Sequence, residues 1–133
     1  MDYKKLLKEL NITIIWVKQP LENGAWYCPN ATNLGKNGVI FIFSGLEEHE
    51  ITEKVIHEIG HYKTGSTIFP HSIPNVHVKN EGKARRFTLK QYLLEYLDSD
   101  IDYSMMSISG FLDYFGLDKD FYWDDAVKIW NEF

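Results

Sequence analysis

Cysteine is almost absent. Cys28 is the only one in 133 residues, so no internal disulfide can form and nothing points to an oxidising compartment. With no motif around it, the thiol is expected to be buried and inert, not a nucleophile. Basic charge is also in short supply. Lys and Arg total 14 against 19 Asp and Glu, a net charge of -5, so no broad cationic surface exists to neutralise phosphates, and direct nucleic-acid binding is not expected. No stretch approaches the ~18 consecutive apolar residues of a membrane span. The start, Met1-Asp2-Tyr3-Lys4-Lys5-Leu6-Leu7-Lys8, has no apolar segment followed by a small-residue cleavage site. A cytoplasmic protein with no membrane partner is therefore expected. A glycine-rich phosphate loop and a G-x-S-x-G elbow are missing as well, which removes two common catalytic scaffolds.

Apolar side chains are plentiful, at 44% hydrophobic and 15% aromatic, enough to build a packed core. The length predicts a single domain over residues 1–133. Tyr3, Leu6, Leu7 and Leu10 recur at helical spacing and predict a short amphipathic helix ending near Asn11. Ile12 to Val17, Ala25 to Cys28 and Val39 to Phe43 read as strands, with turn signals at Pro20 to Gly24 and Pro29 to Gly38. Ser44 and Glu47 have capping-box spacing, so a helix should begin there, run through Ile51, Val55, Ile59 and Tyr62, and stop at Gly65. Residues 66 to 78 contain Pro70 and Pro74 and read as a loop, and residues 80 to 97 as a second long helix. Two shorter helices separated by Gly116 complete an α+β chain: a small three-stranded antiparallel sheet, in meander order, packed against helices.

One motif carries chemistry. His57-Glu58-Ile59-Gly60-His61 is H-E-x-x-H within a predicted helix, the context such a match requires. Positions 57 and 61 are one turn apart on one face, so two imidazoles can reach a single zinc ion at about 2.0–2.1 Å. Glu58 stands beside them, placed to act as general base toward the attacking water and not as a ligand.

A catalytic zinc wants a third protein ligand and an open position. The metzincin extension is excluded because Thr64 and Thr67 occupy the positions that need glycine and histidine. His71 and His77 lie in the predicted loop and are less rigidly placed than a helical ligand. Glu81, at the start of the next helix, is the favoured third ligand. Ala84 would let two helix backbones approach, and Arg85 at i+4 can hydrogen-bond a glutamate at 81.

His57-Glu58-Ile59-Gly60-His61 followed by Glu81-Gly82-Lys83-Ala84-Arg85-Arg86-Phe87 resembles the ImmA/IrrE family of metallopeptidases, over about residues 35 to 97. The resemblance implies a zincin-like, gluzincin-type site with Glu81 as the glutamate ligand. It also implies a protein of prophages or conjugative elements that cleaves a helix-turn-helix repressor. Gly82 directly after Glu81 suggests that the ligand lies in the first helical turn. No DNA-binding segment of the kind some members carry is expected in these 133 residues, so the repressor would bring the DNA contact. A second expectation, of a different class, is an anti-repressor that binds the repressor stoichiometrically without hydrolysis. His71 or His77 could serve as an oxyanion donor.

Asp98, Asp100 and Asp102 alternate as in a calcium loop, but Tyr103 replaces the required glycine and Ser109 the bidentate glutamate, so they read as a helix-terminating loop. Lys79, Lys83, Arg85 and Arg86 read as the solvated face of a helix. The edge of Val39 to Phe43, which leads into the motif helix, could hold an extended substrate by β-addition.

Overall fold

Asp2 opens the first helix, α1 (Tyr3–Leu10), by accepting the Lys5 amide at 3.1 Å, and Asn11 closes it in the left-handed region at φ 56°. Strands β1 (Thr13–Val17), β2 (Ala25–Cys28) and β3 (Val39–Phe43) follow, then helices α2 (Glu48–Lys63), α3 (Pro74–Leu97), α4 (Ile108–Tyr114) and α5 (Lys119–Asn131). The computed structural model describes residues 2–65 and 74–132, with side chains of α3 from residue 78 onward. The α+β class holds. The chain gathers into two compact units, Met1–Ala84 and Arg85–Phe133.

In the first unit the sheet is mixed, not antiparallel. Its order is β1-β3-β2, with Thr13 to Val17 running parallel to Val39 to Phe43 and Ala25 to Cys28 antiparallel to them. A meander would have placed β2 in the middle. The side chains decide otherwise: β3, Val-Ile-Phe-Ile-Phe, has no polar side-chain atom, and Val39, Ile40 and Ile42 are fully buried. Such a strand belongs where both backbone edges find partners, leaving β1 and β2 as edges with Trp16 and Trp26 exposed. An edge of β3 is therefore not available for β-addition; among the described residues the edge strand that packs against α2 is β2. Gly38 makes the turn into β3 at φ 100°, where a Cβ would lie 2.7 Å from the Cys28 carbonyl oxygen. Cys28 itself is half-buried, not enclosed as expected.

Helix α2 starts at Glu48, and the capping box expected at Ser44 does not form. The Ser44 amide bonds the Val17 carbonyl at 2.9 Å, so residue 44 is held in the turn that leaves β3, and the helix starts four residues later with Glu47 at its N-cap. Glu48 and Glu50 instead place negative charge at the positive end of α2. Val55, Ile56 and Ile59 are fully buried and α2 lies against β2 and β3. At roughly 1.5–3 kcal/mol per buried aliphatic side chain, these three fix which face of α2 turns inward. Gly65, at φ 64°, ends the segment as the sequence indicates.

Helix α3 begins six residues earlier than the expected Asn80, at Pro74. Proline suits the first helical position, where its missing N–H would have no partner, so Pro74 starts this helix although it reads as a breaker. His71 lies outside the described residues, and of His77 only the backbone is described.

The second unit surrounds Leu89, Tyr92, Leu93, Tyr96, Phe111, Leu112, Ala126 and Ile129. Gly116 caps α4 as expected: at φ 65° its amide reaches the Asp113 carbonyl at 3.1 Å and the Leu117 amide reaches Leu112 at 2.9 Å, a Schellman closure. Arg85 and Arg86 are not a solvated face. Arg85 Nε and Arg86, the latter at 3.4 Å, both bind the carboxylate of Asp125, which is buried on α5. Asp125→Ala should therefore cost about 1–3 kcal/mol in urea unfolding, discounted from a fully buried pair because both guanidinium groups are partly solvated. An unchanged midpoint would contradict that role. Among the described residues no helix is long and apolar enough to cross a membrane.

Candidate metal centre

Residues His57 and His61 sit one turn apart on α2, as their spacing requires, with ring centroids 5.0 Å apart and planes near perpendicular at 86°. Glu81 meets them from α3. One carboxylate oxygen lies 2.8 Å from His57 Nε2 and the other 3.0 Å from His61 Nε2. The position of Glu81 differs from the expectation. With α3 starting at Pro74, it is the eighth helical residue and lies past the first turn. Gly82 is thus a helix-interior glycine, costing about 0.5–1 kcal/mol relative to alanine, and it is buried.

The three side chains can hold a metal ion: their donor atoms all lie within 4.8 Å of one another. Donors about 2.1 Å from a tetrahedral metal stand roughly 3.4 Å apart, so small side-chain adjustments would turn the present hydrogen-bonded set into a coordination set. A protonated Nε2 donates to the carboxylate, and a deprotonated one offers its lone pair to a cation. His61 is almost enclosed at 2% exposure, which fixes its ring, whereas Glu81 is about one-third exposed and leaves the cluster open to solvent on one side.

Electrostatics match this geometry. Burial pushes the Glu81 carboxyl upward, but hydrogen bonds and charge from His57 and His61 outweigh it and hold the group well below the ordinary carboxylate range. Glu58 goes the other way. Burial raises it, against the lowering influence of His61, His57 and the Tyr27 amide, and Glu81 adds to the rise. Its carboxylate stands outside the three-residue cluster and accepts the Tyr27 backbone N–H at 3.2 Å. A half-buried carboxylate of raised proton affinity on the same helix as two of the candidate ligands suits proton transfer.

Sequence reasoning missed the Tyr27 contact, which joins residues 31 apart and leaves no local signal. It also missed the grouping of Glu47, His49 and Glu50 at the start of α2, which is mostly exposed and has His49 3.5 Å from Glu47. Arg85 bonds Asp125 and is not needed to orient Glu81. Asp98, Asp100 and Asp102 form no such cluster among the described residues and lie in the turn after α3, as expected. Glu81→Ala should thus lower metal affinity at least tenfold while Asp98→Ala leaves it unchanged, measured by competition with a chromogenic chelator. Equal affinity of both variants would remove Glu81 from the site. Compared with known proteins, the chain matches no family model, no curated protein and no solved structure.

Proposed function

We propose that this chain is a zinc-dependent endopeptidase with a zincin-like active-site helix, holding its metal through His57, His61 and Glu81 and using Glu58 as general base. The observation that carries the reading is a division of labour within two helical turns. Two imidazoles and one carboxylate converge, while the second carboxylate, Glu58, stands half-buried beside them and accepts a backbone amide outside the cluster. Two nitrogens and one oxygen form the donor set of many catalytic zinc sites, which leave a fourth position open; structural sites are usually closed by four ligands rich in cysteine. Cys28, the only cysteine, is not in the cluster.

Zinc, when bound, supplies a Lewis acid for the scissile carbonyl and lowers the pKa of water. The protein does the rest. Glu58 takes a proton from the attacking water and delivers it to the departing amine, so the peptide bond breaks with one water consumed and no further reactant. The Tyr27 amide keeps the Glu58 carboxylate turned toward the sheet edge, where an extended chain can add to β2.

Resemblance to the ImmA/IrrE pattern suggests the substrate, a helix-turn-helix repressor of a prophage or mobile element. The net charge of -5 agrees with a protein partner and not with direct nucleic-acid binding. Zinc-loaded protein incubated with the repressor encoded beside it should yield two fragments by mass spectrometry, and chelation should stop their formation. A stable complex with intact repressor would contradict the reading.

A further inference from the structure

We propose that Trp26 makes the site select extended segments bearing a large apolar or aromatic side chain at one position, by stacking on that side chain across the outer edge of β2. The inference rests on the peptidase reading for what happens next, but the recognition step stands on the sheet geometry alone. Among the described residues β2 pairs with β3 on one side only, in a three-stranded sheet of order β1-β3-β2. Phe43 donates to the Gly24 carbonyl at 2.9 Å, so the alternation of an antiparallel ladder turns Trp26 backbone groups toward β3 and those of Ala25 and Tyr27 outward. The Tyr27 amide does point outward, to Glu58. A segment added at this edge would bond Ala25 and the Tyr27 carbonyl, directly beside the proposed general base.

In such an added antiparallel strand, the residue opposite Trp26 occupies a non-hydrogen-bonded pair, where side chains approach most closely, and lies on the same face of the sheet as Trp26. That face is the one turned away from Tyr27 and its edge contact with Tyr62 of α2. Trp26 is 45% exposed, and its ring is backed by Phe41 with centroids 6.1 Å apart and planes 27° apart, so it is a held platform and not a loose side chain. Around it on this face stand Ile15, Val17, Cys28 and Phe43, all uncharged and all half-buried. A charged residue placed there would lose water against these apolar neighbours; an aromatic or long aliphatic one would lose only its apolar exposure.

Metal-free protein separates recognition from turnover. Panned against a displayed library of random eight-residue peptides, wild type should enrich an aromatic or large aliphatic residue at one position and leave its immediate neighbours unbiased. Trp26→Ala should bind the enriched peptides about 3- to 10-fold more weakly, yet bind versions with alanine at that position as wild type does, while Trp26→Phe retains the preference. Circular dichroism and zinc content of the variants should match wild type, since the ring is half in solvent. Recovery of no peptide by wild type, or an unchanged preference in Trp26→Ala, overturns the proposal. A preference that follows Trp26 in a protein that cleaves nothing when zinc-loaded would refute the peptidase reading and leave this one standing. Cleavage with no dependence on Trp26 would do the reverse.

Discussion

His57→Ala and His61→Ala should each reduce bound zinc from about one per chain to near zero in elemental analysis of protein dialysed against excess free metal. The expectation follows from a three-ligand site in which the two imidazoles are presented by one rigid helical turn and only Glu81 comes from elsewhere. Removing either nitrogen leaves one imidazole and one carboxylate, too few to displace most of the hydration shell of a zinc ion. The two variants should differ in stability. His61 is enclosed, so its truncation leaves a cavity and a larger loss, whereas His57 is partly solvated. Undiminished zinc in both variants would mean that the ion sits elsewhere, with the mostly exposed Glu47, His49 and Glu50 grouping the first place to look.

Glu58→Gln should keep zinc content and unfolding midpoint close to wild type while the proposed cleavage of a repressor substrate falls by about 10²- to 10⁴-fold, the range that positioned acid-base catalysis supplies. Glutamine preserves the size of the side chain, and its carbonyl oxygen can still accept the Tyr27 amide, so the local structure has little reason to change. What it loses is the capacity to take a proton. Because burial raises the proton affinity of Glu58, replacing it with a neutral group also removes a desolvated charge, and the variant should not be less stable than wild type. Zinc loss in this variant would show that Glu58 is a ligand, and full activity would show that it is not the base.

Local features of the fold were legible and non-local ones were not. The H-E-x-x-H spacing places His57 and His61 together in any helix, and Asn11, Gly65 and Gly116 could be read as stops because each terminus is set by a few neighbouring residues. Strand order depended on competition for the sheet centre, which the fully apolar β3 won, and no window along the chain contains that comparison. Ser44 has the spacing of a cap, but its amide is tied to the Val17 carbonyl in the turn after β3 and the helix starts only at Glu48. Pro74 was read as a breaker when its position made it a helix start, and that shift moved Glu81 into the helix interior. Glu81 was legible as a candidate ligand through its family-like spacing. The Tyr27 amide on Glu58 and the Asp125 clamp on Arg85 and Arg86 were not, since each joins elements more than 30 residues apart.

The most direct test of the peptidase account compares wild type with Glu58→Gln in cells that carry the proposed helix-turn-helix repressor substrate and a reporter of its target promoter, at equal abundance of the two proteins. Repressor integrity and promoter activity are scored in the same cultures. The account predicts fragments and an active promoter with wild type, and intact repressor with a silent promoter for Glu58→Gln. A variant that fully activates the promoter while the repressor stays whole would contradict it and show that this chain acts by binding alone.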